Sequence, residues 1–392
     1  MNRLTIDLEA LRHNIQTVDD WITAHDASWT LVTKCLCGHV PTLQALHAIG
    51  IRSMAESRLG NLESIASVGG EIETWYLRLP HMPKIADIVR LTDVSLNSEI
   101  EAIRALSEEA QRQDRMHSVV IMVELGDLRE GVLPGSLAEF YTQVFDLPNI
   151  EVIGIGANLG CLSGTMPNVD LFAQLGLYRE WLELKFGHQI PYISAGTSIA
   201  LPLLRDGTLP KAVNHFRIGE SVFLGTDLIR GDNLLGLRDD AFTLEAEVVE
   251  VKEKSMVAVG ETNDMTPFEA INGDDDDDQS EVGERGYRAL CTVGQVDTEV
   301  AGLTPLDPEH KIVGASSDLT VVSVGSDETD VRVGDTIKFR PSYGALVRLM
   351  LSRYIDKVVT PSVDTFSDEM NDDDAGVDLP PILDRETEAE EV

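Results

Sequence analysis

The stretch Ser28–His39, SWTLVTKCLCGH, decides how the rest of the chain is read. Trp29 to Thr33 is a short apolar run with the aromatic and β-branched residues of a buried strand. It stops at one lysine, Lys34, and breaks into small residues and Gly38. A strand buried on both faces belongs to a parallel α/β sheet, where the chemistry sits at the carboxyl end. Lys34 is delivered to that end. Lysine is also the side chain that condenses with carbonyl compounds. The plain alternative is a surface lysine that ends a strand, so Lys34 needs company from elsewhere.

Outward from this stretch, strands and helices alternate. The pattern predicts strands over Thr30–Lys34, Ile51–Ala55, Thr74–Leu79, Asp93–Leu96, Ser118–Glu124, Glu151–Gly156, Ile190–Ser194 and Val213–Ile218. Helical patterns lie between them, as at Ser57–Ser67, Ser98–Gln113, Leu137–Phe145 and Asn168–Phe186. Count and length match a closed (β/α)8 TIM barrel, with a doubly wound sheet as the alternative. Upstream, MNRLTIDLEALRHN reads as the start of an amphipathic helix rather than a signal peptide, with Asp7 capping Leu8–Ala24.

From about Asp240 the texture changes. FTLEAEVVEV, RALCTVGQVD, KIVGASSDLTVVSV and DTIKFRPS alternate apolar and polar residues, as antiparallel strands with one wet face do. The division expected is a barrel over 1–238, a smaller, mostly-β domain over 239–360, and an acidic, disordered tail over 361–392. A loop with the run Asp274–Asp278 interrupts the β domain, and both charge runs read as solvated segments.

Net charge is −36, from 67 acidic against 31 basic residues, and lysine is rarer than arginine. Such a surface repels nucleic-acid phosphates. Acid enrichment along the whole chain points to a halophilic cytoplasm, where salt screens self-repulsion. No apolar run approaches the ~20 residues of a membrane span. The four cysteines have no disulfide-framework spacing, which suits a reducing compartment. Cys35, Cys37 and His39 can be read as a C-x-C-x-H metal cluster, but no partner pair follows.

The polar residues at the ends of the predicted strands assemble a pocket. Gly126–Gly131 (GDLREG) follows strand five, Asn158 strand six, and Ser194-Ala195-Gly196-Thr197-Ser198 strand seven, while Arg217 closes strand eight. Barrels often bind phosphate at the loops after strands seven and eight. Gly196-Thr197-Ser198 leads into a helix, whose first amides suit an anion. A condensing lysine, a phosphate cradle and an arginine in one barrel mouth point to pyridoxal phosphate.

The chain resembles the fold type III pyridoxal-phosphate racemases, the alanine racemase group, and most closely its ornithine racemase-like branch. The likeness runs from Leu4 to about Lys357, through TKCLCG, AESRLGNLE, ELGDLREGV, GIGANLGCLSG, ISAGTSIALPLL, VNHFRIGESVFLG, GASSD and PSYGALVRLMLSRYI. It implies that Lys34 holds pyridoxal phosphate and serves as one catalytic base. It implies that Arg217 faces the pyridine nitrogen, and that Ser194, Gly196, Thr197, Ser198 and Gly219 form the cofactor loops. Tyr343 matches a β-domain tyrosine that reaches the phosphate, and Arg129 an arginine near the substrate carboxylate. Asn158 stands where alanine racemases place a histidine beside the ring. The family's site borrows β-domain residues from a neighbour, so a C2 homodimer is implied, with a free amino acid as its small-molecule substrate.

The departures point away from alanine, and with the likeness to the ornithine branch they lead us to expect racemisation of a basic or polar amino acid, ornithine first and lysine or serine behind it. The tyrosine that follows the lysine in alanine racemases is missing, and Glu261 in VAVGETND stands nearest the place of their second, basic tyrosine. Their Met-Asp pair corresponds to Ser317-Asp318, and Leu319 follows where ornithine racemase-like chains carry histidine. Racemisation needs proton transfer on two faces. Lys34 serves one, and Glu261, Asp318 and Tyr354 are the candidates for the other. Acids at Glu261, Asp127 and Asp318 would also suit a substrate with a distal ammonium, unless they belong only to the acidic surface. Two further readings stay open: a metal-dependent lyase like D-threonine aldolase, and a non-catalytic pyridoxal-phosphate carrier.

Overall fold

The computed structural model describes residues 2–160, 162–255, 285–326 and 328–372. Glu261 and the run Asp274–Asp278 therefore lie outside the described residues.

Strand β1 is Arg3–Asp7, where a helix start is expected. Leu4 and Ile6 are fully buried on one face, the period-two pattern of a strand. It lies antiparallel to β10 (Phe242–Ser255) and parallel to the last strand, Asp356–Thr360. Asp7 does cap the helix Leu8–Thr23, accepting from the Ala10 amide at 2.8 Å.

Eight parallel strands follow: β2 (Ser28–Val32), β3 (Ser53–Glu56), β4 (Glu73–Tyr76), β5 (Val94–Asn97), β6 (His117–Met122), β7 (Ile150–Gly156), β8 (Tyr192–Thr197) and β9 (His215–Ile218). They close into a barrel, with β9 pairing β2, and closure excludes the doubly wound alternative. Val32, Ala55, Trp75, Val94, Leu96, Val120, Met122 and Ile153 pack as one cluster. They come from six neighbouring strands, which places the cluster inside the barrel.

The β unit is one sheet in the order β12 (Leu303–Pro305), β15 (Thr336–Pro341), β10, β11 (Arg285–Cys291), β14 (Thr320–Ser323) and β13 (Lys311–Ala315), with β1 and β16 (Asp356–Thr360) continuing from β10. The compact units are Met1–Ala10 with Asp239–Ser362, and Leu11–Arg238 with Val363–Val392. Residues 1–10 thus belong with the β unit, a correction to a barrel drawn from residue 1. The expected tail is corrected over its described residues, with 373–392 lying outside them. Val363–Asp372 is a helix packed on helix Val40–Ile49, with Phe366 and Met370 buried at i, i+4 spacing. Among the described residues no helix is long and apolar enough to cross a membrane.

Candidate active site

Lys34 opens a tight 3-10 turn, Lys34–Leu36, two residues past the end of β2. The turn ends on Cys37 at φ 50°, and Gly38 follows at φ 76°. A Cβ on Gly38 would stand 2.8 Å from Ser64 Oγ, so this exit needs glycine. The result is an exposed lysine at the carboxyl end of β2, with Cys35 and Leu36 buried beside it. Burial pushes the Cys35 thiol well above its ordinary value, and His39 Nδ1 bonds Thr42 Oγ1 at 2.8 Å. Among the described residues no group of three or more His, Cys, Asp or Glu side chains is gathered to hold a metal ion.

Two carboxylates bracket Lys34, and the sequence reading missed both. Val32 pairs Ala55 on one side and Leu31 pairs Ile218 on the other. Continuing the first register puts Glu56, the last residue of β3, opposite Thr33; Glu220 opens the short helix Glu220–Leu224 after β9, and the Lys34 charge acts on both carboxyls. Glu56 is buried and accepts from the Ser57 and Arg58 amides at 2.6 and 3.2 Å and from Asn61 Nδ2 at 2.9 Å. Burial raises its carboxyl above the ordinary value despite those bonds and the charge of Lys34. Burial likewise raises Glu220, which Lys34 partly offsets.

The sign of the pH effect follows. A carboxyl raised in the folded state stabilises fully below the unfolded value, ~4.3, and loses that contribution as pH climbs through the folded value. We expect Glu220→Gln to melt higher than the parent at pH 8, with the gap narrowing toward pH 4.5 in calorimetry. An equal gap at both pH values would refute the assignment.

Arg217 is buried inside the mouth. Its Nη1 donates to the Ser194 carbonyl and hydroxyl, and its Nη2 donates to Ala157 O at 3.0 Å and Asn158 Oδ1 at 2.8 Å. Asn158 Nδ2 in turn donates to Glu130 Oε1, and Glu130 is paired with Arg129. Burial pushes the Glu130 carboxyl up, but the hydrogen bond and charge of Arg129 and the Asn158 amide outweigh it and hold it below its ordinary value. Glu130 therefore stays ionised and ties the Arg129 loop to Arg217. Sequence reading passed over it, although it stands next to Arg129 in GDLREG.

The loops after β8 and β9 meet where the Gly219 amide donates to Ser198 Oγ at 3.2 Å. A Cβ on Gly219 would come within 2.8 Å of Val32 O, and one on Gly196 within 2.1 Å of the Phe216 ring. Both glycines permit close approach. Thr197 precedes the turn Ser198–Ala200 without capping it by its side chain, which leaves the leading amides for an anion.

Other sequence candidates fall differently. Asp127 is buried, and its Oδ1 accepts from the Leu162 and Ser163 amides at 3.1 and 3.2 Å. Through this oxygen it braces the loop after β7, while its buried Oδ2 has no hydrogen-bond partner among the described residues. Asp318 is exposed in the β13–β14 turn, where Ser317 Oγ donates to it at 2.8 Å. Tyr343 begins the helix Tyr343–Leu351, which Ser342 caps. Tyr354 is exposed and takes a 2.7 Å hydrogen bond from Arg353. These three belong to the β unit.

The donor set of the barrel fits pyridoxal phosphate. It offers an exposed amine for the aldehyde, hydroxyl and amide groups of two adjoining loops for the phosphate, and a buried guanidinium for the ring nitrogen.

The family model for the alanine racemase N-terminal domain matches residues 6–227. The chain belongs to the alanine racemase family. Within that family it is 34% identical to the ornithine racemase of Acetoanaerobium sticklandii over 358 residues, covering 91% of this chain and 98% of the relative. It is 32% identical to the lysine racemase of Thermotoga maritima over 363 residues, covering 92% and 99%. Among solved structures it shares its fold with the biosynthetic alanine racemase of Pseudomonas aeruginosa, at TM-score 0.70, 18% identity, and 92% and 99% coverage. The D-threonine aldolase of Filomicrobium marinum has the same fold at TM-score 0.65, 18% identity, and 89% and 88% coverage. A barrel followed by a β unit is thus common to the alanine racemase family and to a lyase, so fold alone does not choose the reaction.

Proposed function

We propose that this chain is a pyridoxal-phosphate-dependent racemase of a basic amino acid, ornithine first, with lysine behind it. The observation that carries the reading is near-full-length identity to an ornithine and a lysine racemase, joined to Lys34 and Arg217 at one barrel mouth. Bound pyridoxal phosphate supplies the electron sink that makes the substrate's α-proton acidic. Lys34 anchors the cofactor and moves the proton on one face. Arg217 holds the ring nitrogen side with a cation that keeps its own proton. Ser194, Gly196, Thr197, Ser198 and Gly219 form the cofactor loops, with Tyr343 assigned to the phosphate, Asn158 to the ring and Arg129 to the substrate carboxylate. Glu261 is our first choice for the opposite face, ahead of Asp318 and Tyr354.

The test is a panel of L-amino acids assayed by α-hydrogen exchange in deuterated water and molar salt, which suits a chain of net charge −36. Ornithine or lysine should exchange fastest, with Glu261→Gln losing exchange for one enantiomer by at least ~100-fold. Alanine turning over fastest overturns the substrate assignment. Inactivation by a chelator would favour the lyase instead.

Assembly is the companion proposal. Leu128, Leu133, Leu162 and Met166 are exposed on the loops after β6 and β7. Clustered apolar exposure of this kind is a feature of interfaces, and a C2 homodimer would cover it. Sedimentation in molar salt should show a dimer, and a fully active monomer would contradict it. Cys35 and Cys291, buried as thiols, support a reducing, cytoplasmic setting.

A further inference from the structure

Below Arg217 a line of hydrogen bonds runs into the barrel, and the guanidinium fixes the direction of its first step. A guanidinium only donates, so the Ser194 hydroxyl accepts from Arg217 Nη1. The hydroxyl's own proton then has an acceptor 2.8 Å away, Nδ1 of His215. With Nδ1 accepting, a neutral ring carries its proton on Nε2, which stands 3.1 Å from Thr30 Oγ1. Thr30 passes the sense on to Ser53 Oγ at 2.9 Å. Ser194, His215 and Thr30 have no exposed surface. The His215 ring is clamped on Trp75, with centroids 4.5 Å apart and planes 9° from parallel, and Tyr192 tilts against it at 5.4 Å.

We infer that His215 is a positioning residue for Arg217. Locked as the neutral Nε2–H tautomer, it turns the Ser194 hydroxyl so that its oxygen faces the guanidinium and fixes that group between Ser194 and Asn158. In the opposite tautomer the hydroxyl oxygen would accept from both Arg217 and His215, which its two lone pairs allow, but its own proton would lose the acceptor at Nδ1. A protonated ring would set a second buried cation beside Arg217, and burial together with that arginine holds His215 well below its ordinary value. His215 sits two residues before Arg217 on β9, so the two side chains share the inward face.

The consequence for turnover rests on reading Arg217 as the cation beside the cofactor ring, whereas the tautomer does not. The first measurement is therefore made on the cofactor-free chain. Ring-15N-labelled protein at pH 7 should give one histidine signal set, missing in His215→Asn, with an unprotonated Nδ1 and a protonated Nε2. A protonated Nδ1 or a doubly protonated ring overturns the inference whatever the enzyme does. The second measurement is on the holoenzyme. His215→Leu should lower kcat by about 10–100-fold, as loss of outer partners does at ligand sites, with KM changed less than about threefold. His215→Asn, which returns an acceptor near the Nδ1 position, should recover most of that loss. Equal loss in both variants would mean that only the ring stack on Trp75 matters, and wild-type kcat in His215→Leu would equally overturn the positioning role. Absence of any turnover in the parent, with the expected tautomer present, would fail the racemase reading and leave the hydrogen-bond assignment standing.

Discussion

Lys34→Ala is expected to abolish turnover of every amino acid, by at least ~10⁴-fold, and to remove the absorption band of bound cofactor. The magnitude combines two losses. A positioned proton-transfer group contributes ~10²–10⁴-fold by itself, and the amine that anchors the carbonyl cofactor goes with it. The fold should survive. Lys34 is exposed at a turn, and surface substitutions change stability by about ±0.5 kcal/mol. Its charge does offset the burial of Glu56 and Glu220, so a slight destabilisation above neutral pH is expected. Borohydride reduction followed by peptide mapping should label the parent at Lys34 and leave the variant unlabelled. A label on another lysine, or a variant within tenfold of the parent, would remove the foundation of the proposed function.

Arg217→Met should cost both stability and catalysis. Four oxygens accept from this guanidinium: the Ser194 carbonyl and hydroxyl, Ala157 O and Asn158 Oδ1. Stripping a donor from buried acceptors costs ~1–3 kcal/mol for each one left unpaired. Some of the four will find other partners, so a loss of about 2–4 kcal/mol is expected in urea unfolding of the cofactor-free protein. Turnover should fall by ~100-fold or more, and more of the remaining cycles should end in transamination, because the fixed cation no longer restrains the ring as an electron sink. Arg217→Lys should not rescue, since one ammonium cannot span acceptors on β8 and in the loop after β7 as the planar fork does. A variant as stable and as selective as the parent would show that the guanidinium serves neither purpose.

Local pattern explains what could be read without coordinates. Each barrel strand is a short apolar run with a break after it, and such runs report burial through composition alone. Lys34, Asn158, Ser198 and Arg217 could be picked out because each follows or closes such a run, and the parallel α/β rule sends strand ends to one mouth. What escaped was set by partners distant in sequence. The segment Arg3–Asp7 has too few residues to outweigh the helical pattern beside it. It is a strand because β10 and β16, more than two hundred residues away, offer it hydrogen bonds. The start of the tail is acidic enough to read as disordered, yet Phe366 and Met370 find an apolar face on helix Val40–Ile49. Asp127 also takes on a local task that its sequence position does not show, since its Oδ1 holds two amides of the loop after β7.

The sequence by itself determined the barrel, the lysine at its mouth and the arginine near the end of its last strand, because burial periodicity and strand ends are local properties of the chain. Tertiary structure alone decided that Glu56 and Glu220 flank Lys34 and that His215 stands behind Arg217 through Ser194. Those relations depend on which strands become neighbours when the barrel closes, and on the register of their pairing. No stretch of sequence carries that information, because closure brings β9 beside β2 only after all eight strands are in place.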